Sequence, residues 1–267
     1  MPLAVCATPI GNLEDVTLRV LRELAEADVV LAEDTRHTRG LLEHHGIRAR
    51  LLSYHEHNEA KRTAELLPRL QAGERLALVS DAGLPGISDP GARLVAAALE
   101  AGVPVTVLPG ASAVETALVA SGLVGERYQF VGYLPRGERA LAELGAELAR
   151  WQWPVVAFES PQRLPRSLAV LARVSPDRPC TVCRELTKRH EEVALGTVAE
   201  LAARFGEPVR GEVTLVLGTA PPAEAPVEEA AGAVAELVEA GVPRRQAAEL
   251  VSRLTGASRN TLYRGSL

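Results

Sequence analysis

The sequence predicts an α/β protein of two domains with a small C-terminal helical module. The first domain is a parallel, helix-covered sheet and the second a mixed-sheet α/β domain. Three observations predict this. Short apolar runs alternate with stretches of helical spacing through the first half, as expected for strands buried on both faces. Turns rich in Pro and Gly close three of those runs: Thr8-Pro9-Ile10-Gly11-Asn12, Ser80 to Gly91, and Leu108-Pro109-Gly110-Ala111-Ser112-Ala113. An Ala- and Pro-rich stretch at 219–226 then separates the body from a helical tail. The expected division is 1–110, 111–218, a linker at 219–226 and a module at 227–267.

Leu3 to Ala7 reads as a buried strand, and Thr17 to Ala27 as a helix with apolar positions at Leu18, Leu21 and Leu24. Val29 to Ala32 is a second strand, ending in Glu33-Asp34-Thr35-Arg36. Arg39 to His45 is a short helix closed by Gly46. Arg50 to Ser53 is a candidate strand, and Asn58 to Ala72 an amphipathic helix ending at Gly73. Leu76 to Val79 and Val105 to Leu108 are strands flanking a helix over Gly91 to Ala101. After a helix at Ala111 to Ser121 the pattern changes. Gln129 to Val131, Val155 to Glu159, Cys180 to Glu185, Val193 to Thr197 and Glu212 to Leu217 read as strands. Helices fall at Glu138 to Trp151, Pro165 to Ala172 and Val198 to Phe205. The tail carries helical stretches at Val227 to Ala240, Arg244 to Leu254 and Ser258 to Arg264.

Composition bounds the function. The chain has 267 residues, 47% hydrophobic and 24% charged, enough for a substantial core. Its net charge of −5 means that any nucleic-acid binding rests on a local basic surface. No apolar run approaches the roughly 18 residues of a membrane span, and Met1 to Val5 leads into strand-like sequence, so a secretory signal is not expected. Cys6, Cys180 and Cys183 show no framework spacing, so a reducing, cytoplasmic setting is expected. Lysine occurs only at Lys61 and Lys188 among abundant arginines. A retained lysine either marks a position where a compact ammonium serves and a planar fork does not, or is retained by chance.

Ligands of open α/β sheets bind at the carboxyl ends of strands, where the three turns lie. There is no Gly-x-Gly pair and no Gly-Lys-Ser/Thr, so neither the dinucleotide fingerprint nor the P-loop is present. Small residues let backbone groups approach a ligand closely and Pro fixes the path. Such turns suit an adenine, a ribose and a short charged tail without pyrophosphate, as in S-adenosylmethionine. Ordinary tight βα turns are the competing reading.

Longer strings carry a resemblance. They are Ala7-Thr8-Pro9-Ile10-Gly11-Asn12-Leu13-Glu14-Asp15, Ala32-Glu33-Asp34-Thr35-Arg36-His37-Thr38, His55-Glu56-His57-Asn58-Glu59, and Ser80-Asp81-Ala82-Gly83 through Asp89-Pro90-Gly91. Phe158-Glu159-Ser160-Pro161 with Arg163, and Arg184-Glu185-Leu186-Thr187-Lys188, complete the set. Over roughly residues 3 to 264 the chain resembles the bacterial 16S ribosomal RNA cytidine-2′-O-methyltransferases, methyltransferase I, of the tetrapyrrole methylase superfamily. The resemblance implies a homodimer of two-domain, tetrapyrrole-methylase-like subunits, with S-adenosylmethionine in the interdomain cleft. It implies no metal. Donor contacts carried over fall on Ile10, Leu84, Ile87, Ser112 and Ala113, with Phe158, Glu212 and Val213 closing the pocket. Two positions depart from the family pattern: Leu84 stands where Thr is usual and Ala111 where Pro is usual.

The polar constellations leave roles open. Glu33, Asp34 and Arg36 form either a self-paired surface cluster or part of an RNA or donor pocket. His55 and His57, two apart in a strand, would face the same way, but methyl transfer from a sulfonium needs no metal. Cys180 and Cys183 sit three apart in one strand and point to opposite faces, as buried structural thiols. Trp151 and Trp153 are candidates for a domain junction. Aromatics at 3% offer no stacking platform for single-stranded RNA. Candidate catalytic groups are Asp81, His55, Glu185 and Lys188, the last as a base with a lowered pKa or as an ammonium beside an oxyanion. From Pro243 onward five arginines stand against Glu249 alone, in a helix–turn–helix cadence. Arg36 and, in the tail, Arg244, Arg245, Arg253 and Arg259 are candidate RNA contacts; a small helical module packing on the dimer is the competing reading of the tail. The expected function is 2′-O-methylation of a cytidine in the decoding region of 16S ribosomal RNA, either as naked RNA or in the small ribosomal subunit. A tetrapyrrole-type small-molecule methyltransferase and a catalytically idle RNA-binding assembly factor are the alternatives.

Overall fold

A computed structural model describes residues 2–219 and 227–265. Most of the expected 219–226 linker lies outside the described residues. The first sheet contains β1 (Leu3–Cys6), β2 (Val29–Ala32), β3 (Leu51–Ser53), β4 (Leu76–Val79) and β5 (Val105–Leu108). All pairs are parallel, in the order β3-β2-β4-β1-β5. The connecting helices are α1 (Leu18–Glu26), α2 (Thr35–His44), α3 (Glu59–Gln71) and α4 (Ala92–Glu100). Side chains of each strand alternate between the two faces. Leu3, Val5, Leu76 and Leu78 pack on Leu66, Leu70 and Leu94. Ala4, Cys6, Ala77 and Val79 pack on Val20, Leu24 and Leu42. Burial on both sides is why these strands read as unbroken apolar runs.

After α5 (Ala113–Ala120), the second sheet contains β6 (Gln129–Tyr133), β7 (Val155–Glu159), β8 (Pro179–Arg184), β9 (Glu192–Thr197) and β10 (Val213–Leu217). The order is β6-β7-β10-β8-β9, parallel for β6/β7 and antiparallel elsewhere, so the sheet is mixed as expected. One face is covered by α6 (Glu138–Leu148), α7 (Leu164–Val174) and α8 (Val198–Arg204). The other receives α5 through Val114, Ala117 and Leu118, joined by Ile10 from the first turn. Cys180 and Cys183 lie on these opposite faces. Burial pushes both thiols up to about 12, where they stay protonated.

The tail folds as α9 (Val227–Glu239), α10 (Arg244–Thr255) and α11 (Arg259–Gly265) around Val234, Ala247, Ala248, Val251 and Leu262. Gly256, at φ 75°, ends α10 in the left-handed conformation that the expected turn requires.

Several boundaries differ from the sequence reading for local reasons. In α1 the buried stripe is Val20 and Leu24; Leu18, in the first turn, is 79% exposed. The next helix, α2, starts at Thr35, not Arg39, because the Asp34 carboxylate accepts from Arg36 N–H at 2.8 Å and caps it. Similarly, α5 starts at Ala113, after an extended Ser112. His55 and His57 follow β3 in a turn, not in a strand, with ring centroids 6.0 Å apart.

The two sheet units meet at the first turn. Asn12 N–H donates to Thr187 Oγ1 at 3.1 Å. A Cβ on Gly11 would collide with Lys188 Cγ, and would stand 2.8 Å from the Thr187 hydroxyl and 2.9 Å from the Leu186 carbonyl. Gly is required there by close approach of two backbones. Gly11→Ala is expected to lower stability by about 1–3 kcal/mol through overpacking, measured as a shifted urea midpoint. An unchanged midpoint would mean that the junction yields freely.

Candidate active site

Because β4, β1 and β5 are parallel neighbours, the three turns emerge side by side from one edge of the sheet. Thr8 and Gly83 exchange backbone hydrogen bonds of 2.8 and 3.1 Å, and the Thr8 hydroxyl donates to the Ser80 carbonyl at 3.0 Å. These bonds weld the first turn to the second. The second turn also holds Ser88 at φ 63°, a conformation costly for a residue with a Cβ.

Over these turns, between the two sheet units, lies a cavity of about 700 Å³. The first turn contributes Ile10, the second Leu84 and Ile87, and the third Ser112 and Ala113. From the second sheet come Phe158, Glu212 and Val213. All the positions expected to contact a donor therefore share one wall or another of this space. Of the departures from the family pattern, Leu84 lines the cavity and packs on the first core, and Ala111 packs against α5's cluster.

The catalytic candidates separate. Asp81 lines the cavity, and its Oδ1 accepts from Asp34 N–H at 3.1 Å. His55, Glu185 and Lys188 are not among the lining residues. The His55 backbone N–H donates to the Asn58 side chain at 2.9 Å, and its Nε2 lies 3.1 Å from the Asn58 amide nitrogen. Lys188 Nζ bridges Glu185 Oε1 at 2.8 Å and Glu212 Oε2 at 2.9 Å. Burial works to lower the Lys188 pKa, but its two carboxylate bonds outweigh that and raise it. Of the two expected forms of Lys188, a base with a lowered pKa and an ammonium, the raised pKa favours the ammonium. Arg36 points to solvent, paired with Asp34 at 2.7 Å. In the tail Arg245, Arg253 and Arg259 are exposed, while Arg244 is half-buried.

The charge of the cavity was not legible in sequence. Among the described residues six carboxylates line it, Glu33, Asp81, Asp89, Glu115, Glu159 and Glu212, and no Lys, Arg or His does. Burial, then the nearby Glu33 carboxylate, pushes Asp89 up to about 6. Glu33 is raised by burial and by Asp81. Burial would raise Glu115 as well, but bonds from the Ser112 hydroxyl and from Tyr128 OH, the latter at 2.7 Å, bring it below the usual range. Asp89 stood inside a quoted string, so it had a signal; Glu115 and Tyr128 had none, being thirteen residues apart and joined only by folding.

Glu159, fully buried at the end of β7, explains its string. Ser160 N–H donates to it at 2.6 Å, Arg163 Nη2 pairs with it at 2.6 Å, and the Ser167 hydroxyl bonds its second oxygen. Arg163 also donates to the Leu134 carbonyl at 3.1 Å, tying β7 to the segment after β6.

Comparison with known proteins fits this architecture. The family model for Tetrapyrrole (Corrin/Porphyrin) Methylases matches residues 2–202. A ribosomal RNA small subunit methyltransferase I of Micromonospora olivasterospora is 45% identical, covering 98% of this chain and 85% of that one. The protein of the same name from Synechocystis sp. is 43% identical over 99% and 97%. Among solved structures, uroporphyrin-III C-methyltransferase from Thermus thermophilus, complexed with S-adenosylhomocysteine, is similar at a TM-score of 0.56. It is 23% identical, covering 81% of this chain and 96% of that one. The chain belongs to the tetrapyrrole methylase family and, within it, to the ribosomal RNA small subunit methyltransferase I family.

Arg163→Met leaves the Glu159 carboxylate buried without its cation. The expected loss is about 3 kcal/mol, read by chemical denaturation. A loss under about 1 kcal/mol would mean that the Ser160 and Ser167 hydrogen bonds suffice.

Proposed function

We propose that this protein transfers a methyl group from S-adenosylmethionine to small-subunit ribosomal RNA, at the ribose 2′-oxygen of a cytidine in the decoding region of 16S RNA. The observation that carries the donor is the cavity's charge. Six carboxylates line the cavity, and four of them, Glu33, Asp81, Asp89 and Glu115, have no ion-pair partner among the described residues; set among Ile10, Leu84, Ile87, Phe158 and Val213, they suit a ligand with an apolar body and positive charge. S-adenosylmethionine has both, in its sulfonium and its ammonium. The same charge repels tetrapyrrole precursors, which carry several carboxylates. The relatives' names supply the RNA. Bound there, the donor presents an activated methyl group to an oxygen nucleophile in line with the carbon–sulfur bond.

The chain's own contribution is chiefly positioning. The welded turns fix one wall, and α5 with the second sheet fixes the other. Asp81, held by Asp34 N–H, is the remaining sequence candidate for taking the 2′-hydroxyl proton. RNA phosphates must stay outside so acidic a space. The exposed arginines Arg245, Arg253 and Arg259 of the tail are the surface for them, with Arg36 on the body. A homodimer and a cytoplasmic setting complete the reading. The buried, unpaired thiols fit a reducing compartment, and no helix among the described residues is long and apolar enough to cross a membrane.

Labelled S-adenosylmethionine, incubated with undermethylated small subunits or with free tetrapyrroles, tests the reading. Label is expected on one ribose of 16S RNA and on no tetrapyrrole. Label on a tetrapyrrole alone, or on neither, would overturn it. The donor's affinity should also depend on Asp89. Its carboxylate is charged above about pH 6 and neutral below, so a cationic donor loses a partner as pH falls. Calorimetry should show binding about tenfold weaker at pH 5 than at pH 7.5, and Asp89→Asn should be weak and pH-independent over that range. An unchanged slope in the variant would exclude Asp89 as the titrating group.

A further inference from the structure

We propose that Tyr133 is the stacking surface for the base of the target nucleotide, making it a substrate-positioning residue at the cavity mouth. The proposal rests on the RNA reading above. Composition argued against any stacking platform, with aromatics at 3% of the chain. Folding gathers four of them, Tyr128, Phe130, Tyr133 and Phe158, onto one cavity.

A bulge creates the arrangement. Phe130 pairs with Val156, yet Tyr133 pairs with Phe158, so β6 holds one residue more than β7 across this interval. In a regular strand residues 130 and 133 would point to opposite faces. The extra residue, taken up beside Gly132 at φ 68°, returns Tyr133 to the side of Phe130. Both rings then meet Phe158 edge-to-face, with centroids 4.9 and 5.5 Å away. Phe158 braces the cluster and Tyr133 is its outer member, 60% exposed. Tyr128, by contrast, has its hydroxyl committed to Glu115.

The surroundings select the ligand. Charged groups acting on the Tyr133 phenol are the carboxylates of Glu212, Asp89 and Glu159 and the guanidinium of Arg163. They come from the first sheet's second turn as well as from the second sheet, which sets the ring where the two units meet. Burial, followed by the Glu212 and Asp89 carboxylates, raises the phenol's pKa and keeps it neutral. A 2′-hydroxyl reaches an enclosed site only if its nucleotide is splayed from its neighbours, which forfeits stacking. Among carboxylates that hold phosphates off, a neutral aromatic ring is a surface that a nucleobase can approach, and it replaces the lost stack.

Tyr133→Ala and Tyr133→Phe test this, the side chain being exposed enough for both to fold. Steady-state methylation and equilibrium binding of undermethylated small subunits are compared with calorimetric binding of S-adenosylmethionine. Tyr133→Ala is expected to raise KM and Kd for small subunits about ten- to a hundredfold, with donor affinity within twofold. Tyr133→Phe should restore both, since the ring is kept. Unchanged KM in Tyr133→Ala overturns the proposal, as does a fall in donor affinity that matches the loss of activity, which would put the ring on the donor's adenine. Failure of Tyr133→Phe to restore KM would assign the role to the hydroxyl and also overturn it. If wild-type protein binds small subunits without methylating them, the reading above fails, while the Kd of Tyr133→Ala still decides the stacking role. If wild-type protein neither methylates nor binds them, both fall together.

Discussion

Everything at the site depends on β1 lying between β4 and β5 in a parallel sheet. Parallel strands end on the same edge, so turns separated by some seventy residues of chain become neighbours there. The reciprocal Thr8–Gly83 hydrogen bonds then hold two of them as one surface. Neither turn could present a ligand wall alone. The second unit is brought over this surface by the same first turn, since Ile10 enters the α5 cluster and Gly11 admits Lys188 and Thr187 against its backbone.

Charge is divided across the molecule in a way that composition conceals. Negative groups concentrate in the cavity, while the last segment carries five arginines against one glutamate. An acidic pocket draws in a cation and keeps polyanions out; a separate basic surface is then needed for nucleic acid. Within the cavity the carboxylates are not equivalent. Glu159 and Glu212 are neutralised by Arg163 and Lys188 and serve architecture. Glu33, raised by burial and by Asp81, and Asp89, raised by burial and by Glu33, keep an unmet demand for positive charge.

Lys188 illustrates how a compositional signal leaves a structural partner out of sight. Its rarity in an arginine-rich chain marked it as special. A compact ammonium bridges Glu185 and Glu212, its stem lying against Gly11. What rarity could not convey is its partners: the ammonium bridges Glu185 and the cavity-lining Glu212.

The sequence by itself determined the strands, their alternation with helices, the three turns and the family strings. Each of these is local, set by period, by Pro and Gly, and by unbroken apolar runs. Asp89, Glu159 and Arg163 were legible as members of strings, though not in their roles. Tertiary structure alone decided which side chains share the cavity. The Tyr128–Glu115 bond, the acidic lining and the bulge that turns Tyr133 toward Phe158 depend on strand order and on a one-residue slip in register. A slip of one residue reverses the face of every side chain beyond it, and no local pattern in Gln129-Phe130-Val131-Gly132-Tyr133 announces where it falls.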